Sequence, residues 1–271
     1  MIGTAYRDRP GLKRPVTLRT GTLHCRIDEC SPAGCASFTL RRPGGCSGGY
    51  AACVRDQYHE ELEGITDSLV DITRMAGSAI NKATSALLDA DLQAAEAVIS
   101  GDVAIDELYA DVEARAMDLL ARQQPVASDL RVLITSLRMV ADVERMGDMA
   151  QHIAKVARRR YPASAIPPEL HATVLEMGQV AQRICAKCSS VIAGRDLTVA
   201  AELERDDDVM DDLHQRLFNV LLDPQWKGAI EGAIDVTLCG RYYERFCDHA
   251  VSVARRVVYL VTGERAPVAT D

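Results

Sequence analysis

From about residue 54 to residue 262, apolar side chains return every three or four positions, the spacing of helices that bury one face. The stretch LVDITRMAGSAINKATSALL places Leu69, Ile72, Met75, Ala79, Ile80, Ala83, Leu87 and Leu88 on one side of a first helix. The pattern breaks at Asp89-Ala90-Asp91, resumes to about Ala121, and is stopped again by Pro125. Ser128 or Asp129 is expected to cap a third helix that runs to Arg158-Arg159-Arg160. YPASAIPPEL, with three prolines, reads as a linker. After it comes a helix to Ala193 closed by Gly194, a helix from Asp196, a break at Asp223-Pro224, and a last helix to Thr262-Gly263. The expected fold is therefore all-α, six long helices in two tandem three-helix bundles spanning 54–161 and 167–263, with a tail at 264–271.

The second set of helices repeats the first. DADLQAAEAVISGDVAIDEL at 89–108 aligns without gaps to GRDLTVAAELERDDDVMDDL at 194–213, a shift of 105. Asp91, Asp102, Asp106 and Leu108 thereby meet Asp196, Asp207, Asp211 and Leu213. At a shift of 100, ERMGDMAQHIAK from Glu144 aligns with ERFCDHAVSVAR from Glu244. Two aligned segments with consistent shifts point to a duplicated unit.

The repeated positions are acidic. Residues four apart share a helix face, so Glu144 and Asp148 point one way, as do Asp102 and Asp106. In an antiparallel hairpin, residues equidistant from the turn lie level. Asp106 and Glu144 each stand 19 residues from Pro125, and Asp102 and Asp148 each stand 23 from it. In the second unit, Asp211 with Glu244 and Asp207 with Asp248 are equidistant from the point between Lys227 and Gly228. Four carboxylates gathered this way repel one another unless protons or cations intervene. Asp102, Asp106, Glu144 and Asp148, and Asp207, Asp211, Glu244 and Asp248, are thus candidate metal ligands for hard cations such as Mg²⁺, Mn²⁺ or Ca²⁺, or for iron. Glu107, Asp142, Asp208 and Asp212 lie one or two positions away and are alternatives or supporting groups. A solvated acidic face, with Arg145 and Arg245 in surface ion pairs, is the competing account.

Composition sharpens this picture. Net charge is −8, yet residues 1–53 hold eight Lys/Arg against three Asp/Glu, leaving −13 on the rest of the 271-residue chain. So acidic a body repels nucleic acid and attracts cations or basic protein surfaces. No apolar run is long enough to span a membrane and no secretory signal is visible, so a cytoplasmic protein is expected. Residues 1–53 are rich in Gly, Pro and Arg, lack a period, and read as a disordered extension. Cys25, Cys30, Cys35, Cys46 and Cys53 within it lack zinc-site spacing. Val54 is what a GTG start codon would give, and the functional protein is expected to begin there.

ERMGD and ERFCD, each late in a three-helix unit, together with SDLR at 128–131, resemble the PhoU family of phosphate-signalling regulators, in the style of its actinobacterial members. The resemblance covers roughly Val54 to Gly263. It implies two three-helix bundles, often as a homodimer, with iron, zinc, manganese or magnesium at the E(D)-x-x-x-D positions named above. It also implies negative regulation of the phosphate regulon, linking the phosphate-specific ABC transporter ATPase to its sensor histidine kinase, and no catalytic activity. Cys247 stands where the family usually has glycine, and SDLR has no clean second copy, so the two sites need not be equal.

Two other classes compete. A ferritin-like di-iron oxidase needs paired E-x-x-H motifs, and only Asp211-x-x-His214 comes near. A metal-free helical scaffold or chaperone-like protein is the other. His249, beside Asp248, is expected to be an exposed or core residue with a nitrogen ligand as the alternative. Cys185 and Cys188 form a C-x-x-C inside an amphipathic helix and are expected to be packed or surface thiols. Arg158–Arg160 and Arg255-Arg256 are expected to offset the helix dipole. No P-loop, nucleophile elbow or dinucleotide motif occurs.

Overall fold

The structure, a computed structural model, describes residues 50–264, with side chains from Gln57 onward. Six helices follow in order: α1 (Tyr50–Asp89), α2 (Leu92–Gln123), α3 (Ala127–Arg160), α4 (His171–Gly194), α5 (Leu197–Leu221) and α6 (Ile230–Thr262), with a 3-10 turn at Pro168–Leu170. No strand occurs among the described residues. Helix α1 begins at Tyr50, not after Val54; the rest of the expected N-terminal extension, its cysteines up to Cys46 and the tail beyond Glu264 lie outside the described residues.

The duplication extends to the loops. Ala90 (φ 53°) and Arg195 (φ 52°) both turn the chain through left-handed backbone. Asp91 and Asp196 follow as N-caps, each accepting from the amides two and three residues on. The start of α3 differs from expectation. Its N-cap is Val126, without a side-chain bond, because Ala127 adopts φ 49° and draws Ser128 and Asp129 into the first turn. Asp129 there still favours the positive end of the helix dipole.

Helices α1, α3, α6 and α4 pack side by side around one continuous core, with α2 laid over α1 and α3, and α5 over α4 and α6. Within the described residues both repeats therefore form one compact unit and share an interior. Leu69, Ile72, Ile80, Ala83 and Leu87 are fully buried, while Met75, Ala79 and Leu88 pack at the edge of that core. Each large aliphatic side chain so buried contributes about 1.5–3 kcal/mol.

Helices α3 and α6 run antiparallel and are related by a local two-fold. Asp142 accepts from Ser252 Oγ at 3.2 Å, and at the equivalent place on the other side His152 stacks on Tyr242 with centroids 5.1 Å apart. Asp142 also meets His249 Nδ1 at 3.2 Å and Arg256 Nε at 2.8 Å. Arg158, Arg159 and Arg160 stand in the last turn of α3, where they favour its dipole, and they also reach across to neighbouring helices. Arg159 Nη2 lies 2.5 Å from Asp235 Oδ1, Arg160 Nε binds the other oxygen of that carboxylate, and Arg158 Nη1 is 3.4 Å from Glu96. Asp235 is only 1 % exposed, so its charge relies on these arginines. Arg256 is likewise taken up by Asp142, and Arg255 Nε by Glu204 at 2.9 Å. Cys185 and Cys188 are buried, donating to the carbonyls of Thr73 at 3.0 Å and Ala250 at 3.7 Å on different helices. Burial pushes the Cys185 thiol up to about 12, which leaves it unreactive.

Candidate metal-binding acidic clusters

In the first repeat, α2 brings Asp102 and Asp106 against Glu144 and Asp148 of α3. Asp102 is 7 % exposed, and burial followed by the charges of Asp106 and Asp148 raises its pKa. Glu144 is raised by burial, then by Asp148, with Asp106 and Asp102 adding to it. Asp102 is thus within electrostatic reach of Asp148, and Glu144 of Asp106, across the hairpin. Gly147 makes the approach feasible. A Cβ there would stand 3.0 Å from Ile105 Cδ1 and 3.2 Å from Asp102 Oδ1, closer than ordinary packing.

The second repeat builds the same level with other neighbours. Half-buried Asp207 is pushed up to about 7 by burial, then by Asp248, Asp211 and Asp208, against the pull of Arg255. Asp211 is raised by burial and by Asp248, and Glu244 by burial and by Asp248. In place of Gly147 stands Cys247, fully buried, its thiol raised by burial and by the charges of Asp207 and Asp248.

The basic side chains around the clusters also differ. Lys155 and His152 act on Asp102 in the first, and His214 acts on Asp211 and Glu244 in the second. Arg145 holds Asp148 at 3.0 Å and Glu144 at 3.5 Å, whereas Glu244 is gripped by Arg241 and Asp248 lies 3.8 Å from Arg245.

All eight candidates thus sit where α2 meets α3 and where α5 meets α6. Of the nearby acids, Asp208 and Asp212 edge the second cluster, Glu107 is exposed, and Asp142 belongs to the α3–α6 contact. His249 serves Asp142 rather than the acids.

The donor set fits a cation. The raised carboxyl pKa values come first from burial and then from the mutual repulsion of the carboxylates, which a cation would relieve, and oxygen ligands match hard ions. Among the described residues, though, no three His, Cys, Asp or Glu side chains converge closely enough to hold an ion as they stand. Were an ion to bind, Glu144, Asp148 and Glu244 would have to exchange their arginine contacts for it.

Two groups escaped the sequence reading. The role of Gly147 is visible only once the helices are seen to touch through Asp102. Lys187, 2.9 Å from Glu202 and 3.0 Å from Asp206, ties α4 to the acidic face of α5 and has no periodic signal. His214, met in the sequence only as half of an incomplete di-iron motif, lies beside the second cluster.

The PhoU domain profile matches residues 69–157 and again 174–257. Over 210 residues the chain is 48% identical to "Phosphate-specific transport system accessory protein PhoU homolog 2" of Mycobacterium tuberculosis, covering 78% of this chain and 99% of that protein. It is 46% identical to the homolog 1 protein of Mycobacterium leprae, over 78% of this chain and 95% of that one. The fold is similar to the crystal structure of PhoU from Pseudomonas aeruginosa, with TM-score 0.71 and 29% identity over 76% of this chain and 100% of that one. The PhoU structure from Streptococcus pneumoniae gives TM-score 0.68 and 26% identity, over 78% of this chain and 100% of that one. Two profile matches, each ending in one of the paired acidic helices, place this chain in the PhoU domain family.

Proposed function

We propose that the protein is a negative regulator of phosphate uptake and of the phosphate regulon. On this reading it is a cytoplasmic homodimeric adaptor between the ATPase of the phosphate-specific ABC transporter and its sensor histidine kinase. The observation that carries the reading is 48% identity, over 99% of its length, to a relative named as a phosphate-specific transport accessory protein. The described residues fit such a role, since no helix is long and apolar enough to cross a membrane and many charged side chains lie on the surface.

Asp102, Asp106, Glu144 and Asp148 would hold one divalent or iron site, and Asp207, Asp211, Glu244 and Asp248 the other. A bound ion would supply positive charge where the carboxylates repel, bracing α2 against α3 and α5 against α6. Arg145 and Arg241, displaced from their carboxylates, would then turn outward and alter the surface offered to a partner. Their present contacts with Glu144, Asp148 and Glu244 are also what a metal-free scaffold would use, and metal analysis separates the two readings.

The regulatory role is tested by deleting the gene in phosphate-replete cells. Phosphate-responsive transcripts are expected to rise and to fall again on complementation. Unchanged transcripts contradict the role.

A further inference from the structure

The face of the α3–α6 pair opposite α1 and α4 carries exposed aliphatic residues at equivalent positions of both its ends. Leu130 and Ile134 of α3 are 40% and 39% exposed, and Ile230 and Ile234, one hundred positions later on α6, are 79% and 54% exposed. Large aliphatic side chains left in water at equivalent positions of both repeats mark a surface that is covered in use. A two-fold that exchanges antiparallel neighbours stands perpendicular to their common plane, so equivalent residues emerge on the same side. Residue Ile134 and the Arg159–Arg160 end of α3, which meets α6 at Asp235, are separated by roughly 40 Å at 1.5 Å per residue.

The two ends differ in charge. Around Leu130 and Ile134 lies a cavity of about 340 Å³ that also contains Arg131, Arg138 and Tyr259. Arg131 stacks over Tyr259 at 5.4 Å, and among the described residues neither arginine has a carboxylate partner. At the other end the position equivalent to buried Thr135 is Asp235, already neutralised by Arg159 and Arg160, and the position equivalent to Arg131 is Glu231. Glu231 is exposed and forms an ion pair with Arg160 at 3.1 Å, its side chain still 76% accessible. One end is a hollow with two uncompensated cations. The other is an exposed helix start that reads Ile-Glu-x-x-Ile.

We propose that a second copy of this chain covers this face. The Ile230–Ile234 end of one protomer seats in the Leu130–Ile134 cavity of its partner, with Glu231 directed at Arg138. Because the two ends lie on one face and point in opposite chain directions, a two-fold axis across the middle of the face satisfies both contacts at once and closes the assembly. This names the surface for the homodimer reading above and does not depend on the phosphate role.

Sedimentation equilibrium on the full chain tests the proposal, with circular dichroism confirming that each variant keeps its helices. Wild type is expected to be a dimer. Ile230→Asp combined with Ile234→Asp is expected to raise the dimer dissociation constant at least tenfold. Arg138→Glu and Glu231→Arg should each weaken the dimer, and the two together in one chain should restore it. A dimer untouched by the Ile230→Asp/Ile234→Asp change places the interface elsewhere and overturns this inference alone. A wild type that stays monomeric removes the homodimer reading with it. A double charge reversal no tighter than either single change overturns the Glu231–Arg138 contact.

Discussion

Tyr243 of α6 and Thr84 of α1 share a buried hydrogen bond of 2.7 Å, joining the second repeat to the first. Thr84 Oγ1 also lies 2.8 Å from the carbonyl of Ile80, and a Cβ on Gly178 of α4 would stand 2.5 Å from Thr84 Cγ2. Three helices therefore close on one threonine. Tyr243→Phe removes the bond without emptying the site and should cost about 1 kcal/mol, since Thr84 keeps its backbone partner. Gly178→Ala forces a methyl into that threonine and should cost about 1–3 kcal/mol. Urea unfolding of each variant checks both, and the glycine change is expected to be the more damaging.

Asp207 makes the metal-free protein sensitive to pH. Its carboxyl is raised to about 7, so the native state holds a proton that the unfolded chain has already lost above about pH 4. Stability from this group is thus present at low pH and lost as pH rises through about 7. Asp207→Asn should flatten that decline and raise the melting temperature near pH 7.5 in the presence of chelator. Melting curves across pH, for wild type and variant, give the comparison.

Asp142 behaves in the opposite sense. Burial alone would raise its pKa, but hydrogen bonds from His249 and Arg256 outweigh it and hold the carboxyl below its ordinary value. That contribution is present above about pH 4 and is lost as pH falls through the lowered native value. Asp142→Asn is expected to loosen α3 from α6 at neutral pH and to weaken the dependence of stability on acid. Hydrogen exchange of the amides around Ser252, compared between pH 3 and pH 7, would show it.

Asp235 accepts from Arg159 and Arg160 while almost wholly out of water. Removing both arginines leaves its charge stranded, and Arg159→Ala with Arg160→Ala should cost about 3–5 kcal/mol. Asp235→Asn leaves two arginines that can turn to solvent and should cost clearly less. Equilibrium denaturation ranks the two variants, and the reverse order would contradict the reading of Asp235 as a buried charge.

Much of this was legible in the chain because it depends on local periods. The breaks at Asp91 and Asp196, the equidistance about Pro125 and the shared face of Glu144 and Asp148 follow from helix geometry alone. The α3 cap was misplaced because nothing at Ala127 announces left-handed backbone. The partners of Asp142 and of the arginines at 158–160 were missed for a different reason. Their partners come from α6, and a pairing between repeats has no periodic signature until the α3–α6 register is known. The cavity beside Tyr259 was invisible on the same ground.

Cation binding by the two acidic clusters is tested most directly by equilibrium dialysis against Mn²⁺ and Fe²⁺, with elemental analysis of wild type and of Asp148→Ala/Asp248→Ala. The wild type is expected to retain metal in proportion to protein and to melt at higher temperature when loaded, and the double variant to lose both effects while keeping its helical spectrum. Equal metal content in the two proteins, or none in either, would contradict the assignment of these carboxylates as ligands.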